Sequence, residues 1–219
     1  MKVNLVSYSK PTVEFQQEGI ENIQDLIAFC ARVSNPSNQF NTESSQKLIN
    51  YLVKNAHWSP LEMVDATLEI VTTRDITHQI IRHRSFSFQE FSQRYADPTK
   101  DMQFVTREAR LQDNKNRQNS IEVEDNLLQN EWYRSQQRAI FAAEREYKWA
   151  IANGIAKEQA RAVLPEGLTE SRIYMKGSIR SWVHYIEVRT DPTTQKEHRE
   201  VALQCAREIA KVFPNISNI

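Results

Sequence analysis

Glycine is nearly absent from this sequence: only Gly19, Gly154, Gly167 and Gly177 occur among 219 residues. With so few, the chain holds neither a G-x-G-x-x-G turn nor a P-loop, so both common glycine-rich nucleotide cradles are excluded. No Rossmann or P-loop element is expected, and any bound phosphate must be held by side chains and helix N-termini. The length of 219 residues allows one large domain with a real core. The expectation is a single helix-rich domain over residues 1–219, α/β of the α+β kind, with a small central mixed or antiparallel sheet flanked by helices.

Hydrophobic periodicity fills in that outline. "KVNLVSY" alternates as a first strand, and "DATLEIVTT" sets Ala66, Leu68, Ile70 and Thr72 on one face of a second. "NIQDLIAFCARVS" places Ile23, Leu26, Ile27, Cys30 and Val33 at helical spacing, and "SSQKLINYLVKN" repeats the pattern from an N-cap at Ser44 or Ser45. Asp75 reads as the N-cap of a short helix running through Ile76 and Ile80 toward His83. "SFSFQEF" then loses the helical period, so a loop is expected there. A long helix spans 126–153 and closes on Gly154. "KEQARAVL" is a short helix ahead of Pro165, "SRIYMKG" a strand, and Ser178 to Val188 a helix. "EHREVALQCAREIAKVF" is an amphipathic C-terminal helix. The polar stretch 107–120, "REARLQDNKNRQNS", has no stable period and reads as a mobile loop.

Charge narrows the function classes. Lys plus Arg equals Asp plus Glu at 28 each, so a broad non-specific grip on nucleic acid is disfavoured, although a local basic patch is compatible with neutrality. Cys30 and Cys205 sit inside helical apolar patterns with no C-x-x-C pair, which reads as two reduced thiols. The N-terminal "MKVNLVSYSK" lacks a hydrophobic run of signal length, and no apolar run is long enough to span a bilayer. A cytoplasmic protein is expected.

The most concentrated chemistry is "IRHRSFSFQEFSQRYADP", residues 81–98. Arg82, His83, Arg84 and Arg94 are interleaved there with Phe86, Phe88, Phe91 and Tyr95. Arginine suits an anion site because its planar fork binds phosphate bidentately and keeps its charge when partly buried. Three readings account for the cluster. It is a solvated helix end favoured by the helix dipole, a single-strand nucleic-acid surface whose aromatics stack on bases, or a phosphate-binding cleft whose aromatics anchor it in a core. Glu90 is either a salt-bridge partner for these cations or an acceptor for a ligand's hydroxyl or imide hydrogen. His57 in "HWSPLE", Arg161 in "EQARAVLP", and Arg180, His184 and Arg189 in "GSIRSWVHYIEVR" are similar in kind. No histidine pair has the spacing of a zinc helix, so no metal site is expected.

From Arg82 to Arg94 the chain resembles the signature of flavin-dependent thymidylate synthases, R-H-R-x-x-S-x-N-x-x-S-x-R, with Gln89 standing where that family has Asn. "RDITHQIIRHR", "HWSPLE", "ARAVLP" and "GSIRSWVHYIEVR…QKEHR" resemble further family segments in family order, covering about residues 25–212. The resemblance implies the family's fold and a homotetramer with active sites between subunits. It implies FAD as cofactor, dUMP as substrate, and NADPH and methylenetetrahydrofolate as co-substrates. Carried over position by position, it implies FAD contacts at His57, Arg82, His83, Arg84, Gln89, Glu90 and His184. It implies dUMP contacts at Gln79, Arg82, Glu90, Ser92, Gln93, Arg94, Arg161 and Arg189, with Arg189 the catalytic residue polarising the pyrimidine. Hydride delivery from reduced flavin would make a cysteine nucleophile unnecessary, and Ser92, with no His/Asp relay in view, is assigned to binding. No nucleic acid or membrane partner is expected. The competing readings are an RNA- or single-strand-binding module and an inactive nucleotide-binding relative.

Overall fold

A computed structural model describes residues 1–218. Strands β1 (Lys2–Tyr8), β2 (Asp65–Thr73), β3 (Ser87–Glu90) and β6 (Glu170–Ser178) form one sheet in the order β1-β2-β6-β3, while β4 (Arg110–Gln112) and β5 (Ser120–Glu122) form a separate hairpin. Every pairing in the four-stranded sheet is antiparallel, so of the two expected sheet types it is the antiparallel one. The helices are α1 (Val13–Gln17), α2 (Ile23–Ala31), α3 (Ser45–Lys54), α4 (Arg74–Ile80), α5 (Pro98–Asp101), α6 (Asn126–Ala152), α7 (Lys157–Ala160), α8 (Ile179–Arg189) and α9 (Lys196–Ala210). The fold is α+β.

The sheet alternates as a half-buried sheet must. Ala66, Leu68, Ile70, Ile173 and Met175 are fully buried on one face, where they meet Ile23 and Ile27 of α2, Ile49 of α3, Trp182 and Tyr185 of α8, and Val201 and Cys205 of α9. The opposite face carries Asn4, Glu69, Arg172 and Tyr174, joined by an Asn4–Glu69 hydrogen bond of 2.8 Å and an Arg172–Glu69 ion pair of 3.3 Å.

Two junctions run from strand to helix without a loop. Ser178 ends β6 and caps α8, its hydroxyl accepting from the Ser181 amide at 3.1 Å. Trp182, fully buried, then donates its indole N–H to the Ala66 carbonyl at 3.0 Å and fastens α8 onto β2. At the other junction the N-cap of α4 is Thr73, not Asp75. Asp75 lies one residue into the helix, where its carboxylate accepts from the Thr73 hydroxyl at 2.6 Å and from Arg107 at 2.7 Å. A long-range cation claims the side chain that local reasoning had given to the cap.

The stretch "SFSFQEF" is not a loop throughout, because Ser87–Glu90 pairs with Ile173–Lys176 as the edge strand β3. Phe86, only 9% exposed, packs its ring 4.8 Å from Trp182 and 6.0 Å from Tyr185. Phe88 packs against the same core. The segment 107–120 carries β4 and leads into β5. Its start is clamped by Gln136 of α6, which makes 2.8 Å hydrogen bonds to both the amide and the carbonyl of Arg107.

Gly177 is the residue of β6 over which the Phe86 ring lies, and a Cβ there would collide with that ring. Gly177→Ala is therefore expected to lower the unfolding free energy by about 1–3 kcal/mol, the usual cost of overpacking a core, measured by urea denaturation. An unchanged midpoint would show that Phe86 does not depend on the missing side chain.

Candidate active site

Helix α4 and the turn after it deliver Gln79, Arg82, His83 and Arg84; helix α8 delivers His184 and Arg189. Because α8 starts from β6 and α4 from β2, and those strands pair over nine residues, the two helices leave the same sheet. Gln79, His184 and Arg189 line one open cleft of about 670 Å³, with Thr194 and Gln195 also lining it. His184 also borders a smaller cavity of about 200 Å³ walled by Trp58, Arg180, Val183 and Glu187.

Arg189 is held in place inside this cleft. Its Nε donates to Nε2 of His83 at 2.8 Å, so that histidine nitrogen must carry a lone pair and His83 must be neutral. Burial, with the charges of Arg189 and His184 adding to it, pulls the His83 pKa down to about 4. A neutral histidine orients the guanidinium without neutralising it, which leaves the charge of Arg189 for a ligand. Arg189 also stands in the last turn of α8, where the helix dipole favours a cation.

The other expected residues fall into separate groups. Arg82 and Arg84 are exposed and, among the described residues, enter no ion pair or side-chain hydrogen bond. His57 is exposed with its ring 5.8 Å from that of Tyr51. Gln89 sits on β3 opposite Tyr174, on the exposed face of the sheet. Glu90 is half-buried and already engaged by Arg74 at 3.3 Å, Ser171 at 2.8 Å and Thr77 at 3.3 Å. Gln93 is 3% exposed with its amide nitrogen unpartnered among the described residues. Ser92 accepts from the Arg94 amide at 3.3 Å, and no histidine or carboxylate hydrogen-bonds its hydroxyl among the described residues. Arg94 pairs with Glu158 at 3.2 Å, and Arg161 donates to the carbonyl of the same Glu158 at 3.3 Å. Arg94 and Arg161 therefore share Glu158 as a partner but do not line the cleft that holds Gln79 and Arg189.

Sequence reasoning passed over four residues at this site. Tyr185 and His198 are fully buried, their side chains 3.1 Å apart, and His198 reaches Gln79 at 3.2 Å. Gln195 and Glu197 continue the same network. A signal for His198 was present, since it stands in register with the buried stripe Val201, Ala202, Cys205 and Ile209 of α9. The aromatics of the basic cluster divide in two: Phe86 and Phe88 belong to the core, whereas Tyr95 is 78% exposed. Core packing removes the two phenylalanines from any base-stacking surface.

The buried histidines set a stability dependence on pH. Burial first, then Arg189 and His83, pulls His198 down to about 3. An unfolded histidine takes up its proton near 6.5, whereas folded His83 does so only near 4. Their stabilisation is complete above pH ~6.5 and is lost as pH falls toward the folded values. Urea titrations between pH 7.5 and 4.5 are expected to show falling stability, with a shallower slope in His83→Gln. A flat profile would overturn the neutral-histidine description.

Comparison with known proteins places the chain among relatives. The family model described as thymidylate synthase complementing protein matches residues 18–215. A flavin-dependent thymidylate synthase from Synechocystis sp. is 48% identical over 218 residues, 99% of this chain and 98% of the relative. The "probable flavin-dependent thymidylate synthase" of Paramecium bursaria Chlorella virus 1 is 44% identical over 220 residues, 99% of this chain and 97% of the relative. Among solved structures, the UMP/dUMP methylase PolB from Streptomyces cacaoi, bound with 5-Br dUMP, superposes with a TM-score of 0.77. It is 26% identical and covers 99% of this chain and 93% of its own. With a family model spanning most of its length and relatives matching nearly end to end, the chain belongs to the flavin-dependent thymidylate synthase family.

Proposed function

We propose that the chain converts dUMP to dTMP by reductive methylation, taking the carbon from methylenetetrahydrofolate and the reducing power from NADPH, with FAD as its cofactor. The observation that carries this reading is the Arg189 guanidinium, held by a neutral histidine on the wall of a cleft lined also by Gln79 and His184. A fixed cation that enters no ion pair among the described residues, in a cleft shared with an amide, suits a pyrimidine whose oxygens gain negative charge during attack on the ring. Arg189 is the catalytic residue in this reading, and Gln79 a ligand of the nucleotide.

The cysteines support a route without a protein nucleophile. Burial pushes the thiols of both Cys30 and Cys205 up, away from the thiolate form, and neither residue lines the cleft. When bound, reduced FAD supplies the hydride that takes the place of such a nucleophile. The donor set fits that cofactor. Arg82 and Arg84 are exposed and enter no ion pair among the described residues, so their guanidiniums are open to a pyrophosphate. His57, His83, His184 and the exposed amide of Gln89 complete the FAD-binding set, to which Glu90 adds a carboxylate.

Arg94 and Arg161 are assigned to the phosphate or base of dUMP, with Ser92, Gln93, Glu90 and Arg82 as further dUMP contacts. Their separation from the cleft of the same chain supports a homotetramer whose active sites lie between subunits. Two free cysteines and the absence, among the described residues, of any helix long and apolar enough to cross a membrane support a cytoplasmic location.

The test is release of tritium to water from dUMP labelled at C5, with methylenetetrahydrofolate and NADPH present. Wild-type protein is expected to release it, and Arg189→Ala to release about 10²–10³-fold less, the loss typical of one preorganised electrostatic group, while the protein stays yellow. Ser92→Ala should keep measurable turnover. Near-wild-type release by Arg189→Ala would remove it from catalysis, and no release by the wild type would overturn the proposed reaction.

A further inference from the structure

We infer that His198 is a positioning residue: it fixes which edge of the Gln79 amide meets the nucleotide, through a one-way hydrogen-bond chain anchored by Glu197. The inference rests on the reading of Gln79 as a nucleotide ligand.

The chain begins at the Glu197 carboxylate. Burial alone would raise the pKa of this group, but the hydrogen bonds from Arg110 and its neighbours lower it overall. Ion-paired with Arg110, Glu197 can only accept. The nitrogen of Gln195 therefore faces it, at 2.9 Å. The Gln195 oxygen, left on the other side, receives the Gln79 nitrogen at 2.8 Å. The Gln79 oxygen then faces Nδ1 of His198 at 3.2 Å, and His198 must carry its proton there. Its Nε2 is left with a lone pair, and the Tyr185 hydroxyl, 3.1 Å away, must donate to it. Each link determines the next, and a single carboxylate sets the direction of the four groups that follow it.

The consequence lies at Gln79. An amide in open solvent can present either oxygen or nitrogen to a ligand. Here the oxygen is taken by His198 and one amide hydrogen by Gln195, so the unengaged polar hydrogen is the second one on nitrogen. A flip would set oxygen against the Gln195 oxygen and N–H against the His198 N–H. Gln79 thus offers a fixed donor on the cleft wall that also carries the Arg189 guanidinium. Two donors lining one cleft select an oxygen acceptor of the nucleotide. Tyr185 joins the two arms, since its ring also lies 5.0 Å from that of His83, the residue that holds Arg189.

Two measurements on the full-length flavoprotein test this. The first is the ring tautomer of His198 by ¹⁵N NMR of histidine-labelled protein, assigned by the signal lost in His198→Asn. Proton occupancy of Nδ1 alone is expected, and a proton on Nε2 would overturn the chain. The second compares His198→Asn, whose side-chain nitrogen replaces the Nδ1 donor, with His198→Leu, which keeps bulk only. For dUMP, kcat/KM is expected to fall about tenfold in His198→Leu, as for one lost hydrogen bond. It should stay within about threefold of wild type in His198→Asn, and His198→Leu should cost under about threefold in a Gln79→Ala background. Equal losses in the two His198 variants, or a full loss in the Gln79→Ala background, would assign His198 to packing alone. Should His198→Leu not fold, the tautomer and His198→Asn decide the matter. Absence of tritium release from the wild type would overturn the proposed reaction but leave the tautomer measurement to decide this one.

Discussion

The architecture depends on β6. It is the one strand of the four-stranded sheet with partners that reach the site from both sides: β2 along nine residues and β3 along four. It then turns directly into α8 through the Ser178 cap. The β2 pairing fixes where α4 leaves the sheet, the β3 pairing fixes the basic segment that follows α4, and the cap fixes α8. Register in an antiparallel sheet is set by which face is buried. Burial of Ile173 and Met175 therefore also determines where Gln79, His83 and Arg189 come together.

On that frame, the polar groups are ordered by burial and by partner rather than by net charge. The cleft holds a guanidinium bonded to a neutral imidazole, and an amide whose orientation is carried inward through Tyr185, His198 and Glu197. Such networks are demanding, because each buried polar atom must be satisfied, and in return they leave few alternative arrangements. Arg94 and Arg161 contrast with this. Arg94 is ion-paired with Glu158 and Arg161 donates to the carbonyl of the same residue; a surface ion pair is worth little and is readily exchanged for a ligand.

Much of the fold was legible in the sequence. The alternation in "DATLEIVTT" and the helical spacing around Ile23, Leu52 and Val201 each correspond to an element at the expected place. What was missed depends on distant partners. Strand β3 is four residues long, and its pairing with β6 crosses some eighty residues of chain. Asp75 answers to Arg107 from inside the first turn of α4 and is not the N-cap, which is Thr73. In the site, Gln79, His184 and Arg189 were named from their motifs and do share a cleft. Tyr185 and His198 were passed over because a buried tyrosine and a histidine on an apolar stripe look like core.

The sequence by itself determined the residue types available: arginines and amides in place of glycine-rich loops, two cysteines unsuited to act as nucleophiles, and the ordered segments of a known family. Those follow from composition and local spacing, which require no third dimension. The tertiary structure alone decided which cations stay open and which are paired, that His83 and His198 are neutral, and which way the Gln79 amide points. Desolvation and hydrogen-bond direction decide these, and both depend on groups that lie far apart in the chain and meet only when the sheet and its helices close on one another.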